Sequence, residues 1–160
     1  MLVRKLRKDR RWGASAVETA LVLIPLTMFL FGVLEFGRLL MNWSILNEAA
    51  REGCRYALAN NTDTNIQSDA KAKVLAYMGS LNGNFNNGSG VTVNVTGYSL
   101  TVSGSTYTYV SVSNVNNLVP GQFIQVQVFG QFNFMDIIPF VHMPPVTLQS
   151  NATMVCEGGT

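Results

Sequence analysis

The feature that most constrains this sequence is an apolar stretch near its N-terminus. From Ala14 to Leu34 the only ionisable side chain is Glu18. As an α-helix, these 21 residues would reach roughly 32 Å, which is about the thickness of the hydrocarbon core of a bilayer. Helices of soluble proteins normally keep one polar face, whereas residues 20–34 contain no charged residue at all. We therefore predict a transmembrane helix over 14–34, in preference to a buried helix in a soluble core.

Positive charge is concentrated just ahead of this stretch. The first eleven residues contain a single acid, Asp9, and six basic residues, which are Arg4, Lys5, Arg7, Lys8, Arg10 and Arg11. A cluster of Lys and Arg beside a spanning helix is retained on the cytoplasmic side of the membrane. We therefore predict a single-pass protein with a cytoplasmic N-terminus and an exported C-terminal part. A basic arm can also bind nucleic acid, but the apolar stretch that follows argues against a nucleic-acid partner.

The composition supports insertion into a membrane or assembly with other chains. Charged residues make up 12% of the 160 residues and hydrophobic residues 48%. Typical soluble proteins have about 25% charged residues. The length leaves room for one modest domain beyond the apolar helix.

The helical pattern continues past the apolar stretch. Small and apolar residues recur at spacings of three and four, at Leu39, Trp43, Leu46, Ala50, Gly53 and Ala57. We predict one helix over 14–59, with Pro25 producing a kink in its membrane segment. A polar loop follows, and then a second, shorter helix through about Met78, both within residues 60–81.

The second half of the chain is typical of strands. Apolar and polar residues alternate from Val91, over 107–113 and over 123–129, and a last strand is predicted at about 147–155. Turn-forming residues interrupt these runs at Gly97, Gly104, Pro120-Gly121 and Gly130. Residues 135–145, with three prolines, are predicted as a loop. The predicted fold is therefore α+β, with a leader over 1–13, a helix over 14–59 and an exported domain over 60–160. The β-rich part of that domain, 91–156, is expected to form an antiparallel sheet packed on the exposed helix.

The junction between the leader and the apolar stretch is a candidate cleavage site. No small-residue signal-peptidase site follows the apolar stretch. Cleavage after Gly13 would remove the basic residues and leave the helix as an anchor, with a new amine at Ala14. Glu18, the fifth residue after the cut, would then be available to pair with the Ala14 amine of a neighbouring subunit and set the register between them. Alternatively, Glu18 is simply favoured by the dipole at the helix N-terminus.

Other residues are predicted to have structural roles. Gly32 and Gly37 are expected to permit close contact between helices, with simple tolerance of glycine at these positions as the alternative. Glu35 and Arg38, three residues apart, are expected to form an ion pair at the membrane interface. Cys54 and Cys156 are the only cysteines, and an exported location permits a disulfide between them, with two free thiols as the alternative.

Catalysis finds little support in the sequence. His142 is the only histidine, and no cluster of His, Cys, Asp or Glu has the spacing of metal ligands. A triad of serine, His142 and Asp136 is a remote alternative. We predict no catalytic residues, no metal and no cofactor.

Three segments resemble a known family. They are Gly13-Ala-Ser-Ala-Val-Glu18, Phe31-Gly-Val-Leu-Glu-Phe-Gly-Arg38 and Ala49-Ala-Arg-Glu-Gly-Cys-Arg-Tyr-Ala57. Together they resemble TadE-like proteins, and the leader also resembles that of type IV prepilins. Two positions depart from the pattern: Thr19 stands where an aromatic residue often follows the glutamate, and Cys54 stands where a small residue is usual.

The resemblance implies a minor pilin or pseudopilin of a tight-adherence pilus in a bacterial inner membrane. Its implied partners are a prepilin peptidase, other pilin subunits and the pilus assembly platform with its ATPase. The sequence thus predicts a structural subunit that acts in pilus biogenesis, adhesion or secretion. The alternative is a permanently membrane-anchored binding module that never enters a filament, and an anchored enzyme comes third.

Overall fold

The chain folds into two helices followed by a four-stranded sheet. A computed structural model describes residues 9–112, 115–135 and 143–157, with side chains from Gly13 onwards in the first range. The helices are α1, Asp9–Ala59, and α2, Ile66–Met78. The strands are β1, Thr92–Ser103; β2, Thr106–Val112; β3, Phe123–Phe132; and β4, Val146–Val155. The predicted α+β fold, with a long first helix, a short second helix and an antiparallel sheet, is confirmed.

Helix α1 begins earlier than the sequence predicted. It starts at Asp9 instead of Ala14 and ends, as predicted, at Ala59. Arginine is a good helix former, and a single glycine such as Gly13 costs only about 1 kcal/mol inside a helix, so the helical pattern extends back into the leader. Pro25 lies inside the helix without ending it, and the kink stays a prediction.

The described residues divide into two units, of which the first comprises residues 9–38 and 135 and the second comprises residues 39–112, 115–134 and 143–157. The core of the second unit lies between the sheet and the two helices. The strand order is β2-β1-β3-β4, and all neighbours are antiparallel. Along β3 every second residue is buried, which matches the period of a strand with one covered face. The helices contribute buried side chains from one face each, among them Leu46, Ala50, Ile66, Ala70 and Val74.

Two glycines that were predicted to interrupt the strands lie inside them instead. Gly97 is in β1 and Gly130 is in β3. A Cβ at Gly97 would lie 3.2 Å from Cδ2 of Leu118, and one at Gly130 would lie 3.1 Å from Cδ1 of Phe85. These glycines therefore make room for large side chains that pack on the sheet. Gly104, in contrast, directly follows the end of β1. It is the first residue of the two-residue turn between β1 and β2, and its φ of 63° is one that such turns require.

The Asn- and Gly-rich segment before the sheet inserts an aromatic side chain into the core. Two short 3₁₀ turns, Gly79–Asn84 and Asn86–Gly88, flank Phe85. The side chain of Phe85 is fully buried, and its ring meets that of Phe132 edge to face, with 6.2 Å between centroids. This segment therefore closes one end of the core. In the predicted loop over 135–145, the described residues 135 and 143–145 lie outside any strand, whereas Asp136 and His142 fall outside the described residues.

Candidate functional site

The first half of α1 displays its apolar side chains on all sides. From Gly13 to Leu34 every residue is exposed except Thr27 and Phe31, which are half-buried. Leu21 and Phe29 each expose 72% of their surface. Among the described residues, one helix, α1 from Gly13 onward, is long and apolar enough to cross a bilayer, and none of its most apolar stretch is buried. Large exposed apolar surfaces of this kind are typical of segments that contact lipid or other protein chains.

The predicted cleavage site lies on this exposed helix. Gly13 is helical, and a Cβ placed on it would have nothing within 4 Å. The extended backbone that a protease needs at Gly13 therefore requires local unwinding. Glu18 is exposed and has no ion pair or hydrogen bond with any described residue. Beside it, the Thr19 hydroxyl donates to the carbonyl oxygen of Ser15 at 2.8 Å. Among the residues with described side chains, the Glu18 carboxylate is thus unpaired.

Gly32 and Gly37 also lie in open space. A Cβ on either residue would meet nothing within 4 Å. Their missing side chains are therefore not required by packing within the described part of the chain. Both glycines leave backbone accessible on the helix surface, which is the property that close helix contacts in membranes use. Their role in such contacts stays a prediction.

Glu35 and Arg38 form a two-pronged ion pair on α1. Nη1 of Arg38 donates to both carboxylate oxygens of Glu35, at 2.7 Å to Oε1 and 2.9 Å to Oε2. Glu35 is only 8% exposed, and it is the sole acid among the buried residues described. By comparison, Glu48 and Arg51 have the same spacing but are separated by 3.7 Å and both exposed. The position of the Glu35–Arg38 pair at a membrane interface stays a prediction.

The second half of α1 packs closely against the rest of its unit. Gly53 lies against Val74 of α2 and Val126 of β3, where a Cβ would overlap Cγ2 of Val74. Farther toward the N-terminus, Asn42 is 2% exposed, and its side-chain oxygen accepts a hydrogen bond from Nδ2 of Asn84 at 3.2 Å. Sequence reasoning treated Gly53 only as part of the apolar stripe and missed the hydrogen bond of the buried Asn42, because both features depend on residues distant in the chain.

The predicted disulfide is not seen. Cys54 and Cys156 are both buried, free thiols. Each sulfur donates to a different main-chain carbonyl: Cys54 to Ile124 at 3.4 Å and Cys156 to Leu118 at 3.5 Å. Burial raises the pKa of the Cys54 thiol from 9.0 to about 11, although hydrogen bonds from the backbone at residues 154 and 126 act in the opposite direction. Cys54 is therefore a protonated core residue at neutral pH.

The described residues form no cluster that could hold a metal ion. Within residues 9–112, 115–135 and 143–157, no three of His, Cys, Asp and Glu lie together. The chemical features of the described chain are thus the apolar helix, the free carboxylate of Glu18 and the ion pair that follows it.

Comparison with known proteins gives one match, and it falls on this helix. Neither the curated proteins nor the solved structures contain a match to the chain. A family model described as TadE-like protein matches residues 13–55, about a quarter of the sequence. The match begins at the glycine of the predicted cleavage site and ends within the last of the three segments that carry the resemblance. The resemblance found in the sequence is therefore confirmed: over residues 13–55, this chain is similar to TadE-like proteins.

Proposed function

We propose that this chain is a pilin-like structural subunit of a tight-adherence pilus system, acting in pilus biogenesis, adhesion or secretion. One observation carries the proposal: the TadE-like match covers the helix whose apolar residues are exposed on all sides. TadE-like proteins are pilus-associated and structural, not enzymatic. The match does not favour the alternative of a permanently anchored binding module.

The apolar half of α1 has two successive environments in this proposal. Lipid surrounds it before assembly, in the inner membrane, and helices of other subunits surround it afterwards. Burying one large apolar side chain is worth about 1.5–3 kcal/mol relative to exposure in water. When the helix moves from lipid into a filament, neighbouring helices must therefore pack on it at least as well as acyl chains do. Gly32 and Gly37 allow the close approach between helices that gives such packing.

Processing by a prepilin peptidase prepares the helix for assembly. Cleavage after Gly13 removes the basic leader, residues 1–13, and creates the ammonium group of Ala14. Since Gly13 is helical, the peptidase must act on a locally unwound segment, and glycine lowers the stability of a helix by about 1 kcal/mol relative to alanine. This favours unwinding at the position where the cut is needed.

Glu18 then sets the register between neighbouring subunits. Its carboxylate is exposed and has no partner among the described residues. At a distance of 4 Å and an effective dielectric constant near 20, its attraction to the Ala14 ammonium of a neighbour is about 4 kcal/mol before desolvation. Desolvation offsets much of this energy, so the pair fixes position more than it adds stability.

This assignment places the chain in a bacterial inner membrane with a cytoplasmic leader and an exported domain over residues 60–160. Its partners are the prepilin peptidase, other pilin subunits and the pilus assembly platform. Purified pili tested with an antibody to the exported domain, followed by N-terminal sequencing of the chain, examine both parts of the proposal. We expect the chain in the pilus fraction with Ala14 as its first residue. A chain that stays in the inner membrane with residues 1–11 attached would support the anchored module instead.

A further inference from the structure

The outer face of the sheet is uncovered and carries no formal charge. Residues alternate along β3 between the buried face and the opposite one, and the strand register extends this alternation to β1, β2 and β4. On the outer face, the four strands present only Thr, Ser, Asn, Gln, Tyr, Phe, Leu and Val. The sequence has no Asp, Glu, Lys, Arg or His between Lys73 and Asp136. Neutral polar groups and aromatic rings therefore define this surface.

A shallow groove of about 420 Å³ lies on this face. Its lining residues are Tyr98, Tyr109, Phe123, Gln125 and Thr153, which come from all four strands. The rings of Tyr109 and Phe123 meet edge to face, with 5.8 Å between centroids and an interplanar angle of 76°. On the other side of the groove, Gln125 of β3 is paired with Thr153 of the neighbouring strand β4. The groove thus has an aromatic side and an amide-hydroxyl side, and its volume lies in the range of small-molecule sites.

The polar groups of the groove retain unused hydrogen-bonding capacity. Nε2 of Gln125 donates to Oγ1 of Thr153 at 3.4 Å. The amide keeps a second N–H and a carbonyl oxygen, and the threonine hydroxyl keeps its own proton. The hydroxyls of Tyr98 and Tyr109 make no hydrogen bond with any described residue. Donors and acceptors therefore surround the aromatic rings in roughly equal number, and all of them are neutral.

The chemistry of the groove selects one class of ligand. A charged ligand would lose hydration here without gaining an opposite charge. An entirely apolar ligand would leave the amide and hydroxyl groups unpaired, which costs binding free energy. A sugar ring presents C–H faces that pack on aromatic rings and a rim of hydroxyls that both donate and accept hydrogen bonds. We propose that the groove lined by Tyr98, Tyr109, Phe123, Gln125 and Thr153 binds a neutral oligosaccharide.

This binding site does not depend on the role of α1 in a filament, so the two proposals fail or succeed separately. The test is calorimetric titration of the full chain in lipid nanodiscs with two neutral hexasaccharides, cellohexaose and N-acetylchitohexaose. Deacetylated chitohexaose, which has the same linkage but is cationic, serves as the charged comparison. We expect at least one neutral probe to bind and the cationic one to bind at least about tenfold more weakly.

Matched variants locate the site. Tyr109→Leu removes an aromatic wall, and we expect it to weaken binding of the neutral probe by about tenfold or more. Tyr107→Leu makes the same change on the same strand and face but outside the groove, and should leave affinity within about twofold. Gln125→Leu and Gln127→Leu form a second pair of this kind, inside and outside the groove.

Three results would overturn the proposal. The first is failure of both neutral probes to bind at concentrations up to about 10 mM. The second is an equal loss of affinity in the Tyr107→Leu and Tyr109→Leu variants. The third is a concentration-dependent dimer of the full chain in sedimentation experiments that Tyr109→Leu abolishes, since the groove would then be an interface with a second copy of the chain.

Discussion

Gly53 of α1 and Val74 of α2 approach so closely that a Cβ on the glycine would overlap Cγ2 of the valine. The same Cβ would meet Cγ1 of Val126 in β3 at 3.4 Å. Two helices and the sheet therefore meet at a point where one methyl group does not fit. Residue 53 also lies within the segment that matches TadE-like proteins.

Replacing this glycine should destabilise the second unit. Gly53→Ala forces Val74 or the helices to shift, and overpacking of this kind costs about 1–3 kcal/mol. The gain in helix propensity, about 1 kcal/mol, offsets part of that cost. We expect a lower free energy of unfolding for Gly53→Ala, measured by circular dichroism in detergent. Gly37→Ala is the matched control, since its Cβ meets nothing within 4 Å, and it should leave stability unchanged or slightly higher.

Glu18 offers a test of assembly that is separate from folding. Glu18→Gln keeps the size of the side chain but removes the charge that would pair with the Ala14 amine. We expect normal membrane insertion and normal cleavage, with a several-fold smaller amount of the chain in purified pili, measured by quantitative immunoblotting. Glu48→Gln removes an exposed charge elsewhere on α1 and should have no effect. Equal incorporation of the Glu18→Gln variant and the wild type would rule out the register role.

The Glu35–Arg38 and Glu48–Arg51 ion pairs of α1 differ in burial and should differ in their contribution to stability. Glu35→Gln removes a buried carboxylate that accepts two hydrogen bonds from Arg38, and we expect a loss of about 1–2 kcal/mol. Glu48→Gln breaks the exposed pair, for which the expected loss is below about 0.5 kcal/mol. Thermal unfolding of both variants in the same detergent compares them directly. A larger loss for Glu48→Gln would contradict this ranking.

The raised pKa of Cys54 predicts that the protein loses stability at high pH. Its pKa is about 11 in the folded protein and 9.0 in its ordinary state, because burial disfavours the thiolate. The unfolded chain therefore releases the proton at lower pH, and the free energy of unfolding should fall as the pH rises from about 9 to 11. Denaturant titrations across this range measure the slope. Cys54→Ala should flatten the slope, whereas Cys156→Ala should keep the Cys54 contribution.

The same residue allows a direct check of the thiol state. Iodoacetamide requires the thiolate, so Cys54 should react slowly in the native protein and quickly in denaturant. With both cysteines free, denatured but unreduced protein should gain two carbamidomethyl groups by mass spectrometry. Protein that gains none until it is reduced would contain the disulfide predicted from the sequence.

The sequence predicted the elements of the fold well because their patterns are local. Spacings of three and four in residues 39–57 and alternation from Val91 onward report which face of each element is covered. The predicted start of α1, at Ala14, was wrong because the helix begins at Asp9. The change from basic to apolar residues marks where a membrane would begin, which is not where the helix begins. Hydropathy and helix formation are separate properties.

The features that sequence reasoning missed depend on contacts between distant residues. Phe85 sits among asparagines and glycines, and its burial is visible only when Gly130 of β3 is seen to leave room for its ring. Likewise, the partner of Asn42 is 42 positions away, at Asn84. For the site, the spacing of Glu35 and Arg38 predicted their pairing, but no local pattern could show that Glu35 is buried.

The uncharged outer face of the sheet has a consequence for how contacts made through it respond to salt. Ionic screening acts on charges, and a surface without them has no counterion layer that dissolved salt can rearrange. Contacts made through Tyr109 or Gln125 should thus keep the same strength in fresh water and in seawater. The oligosaccharide binding proposed for this face would therefore persist at salt concentrations that weaken contacts made through lysines and carboxylates.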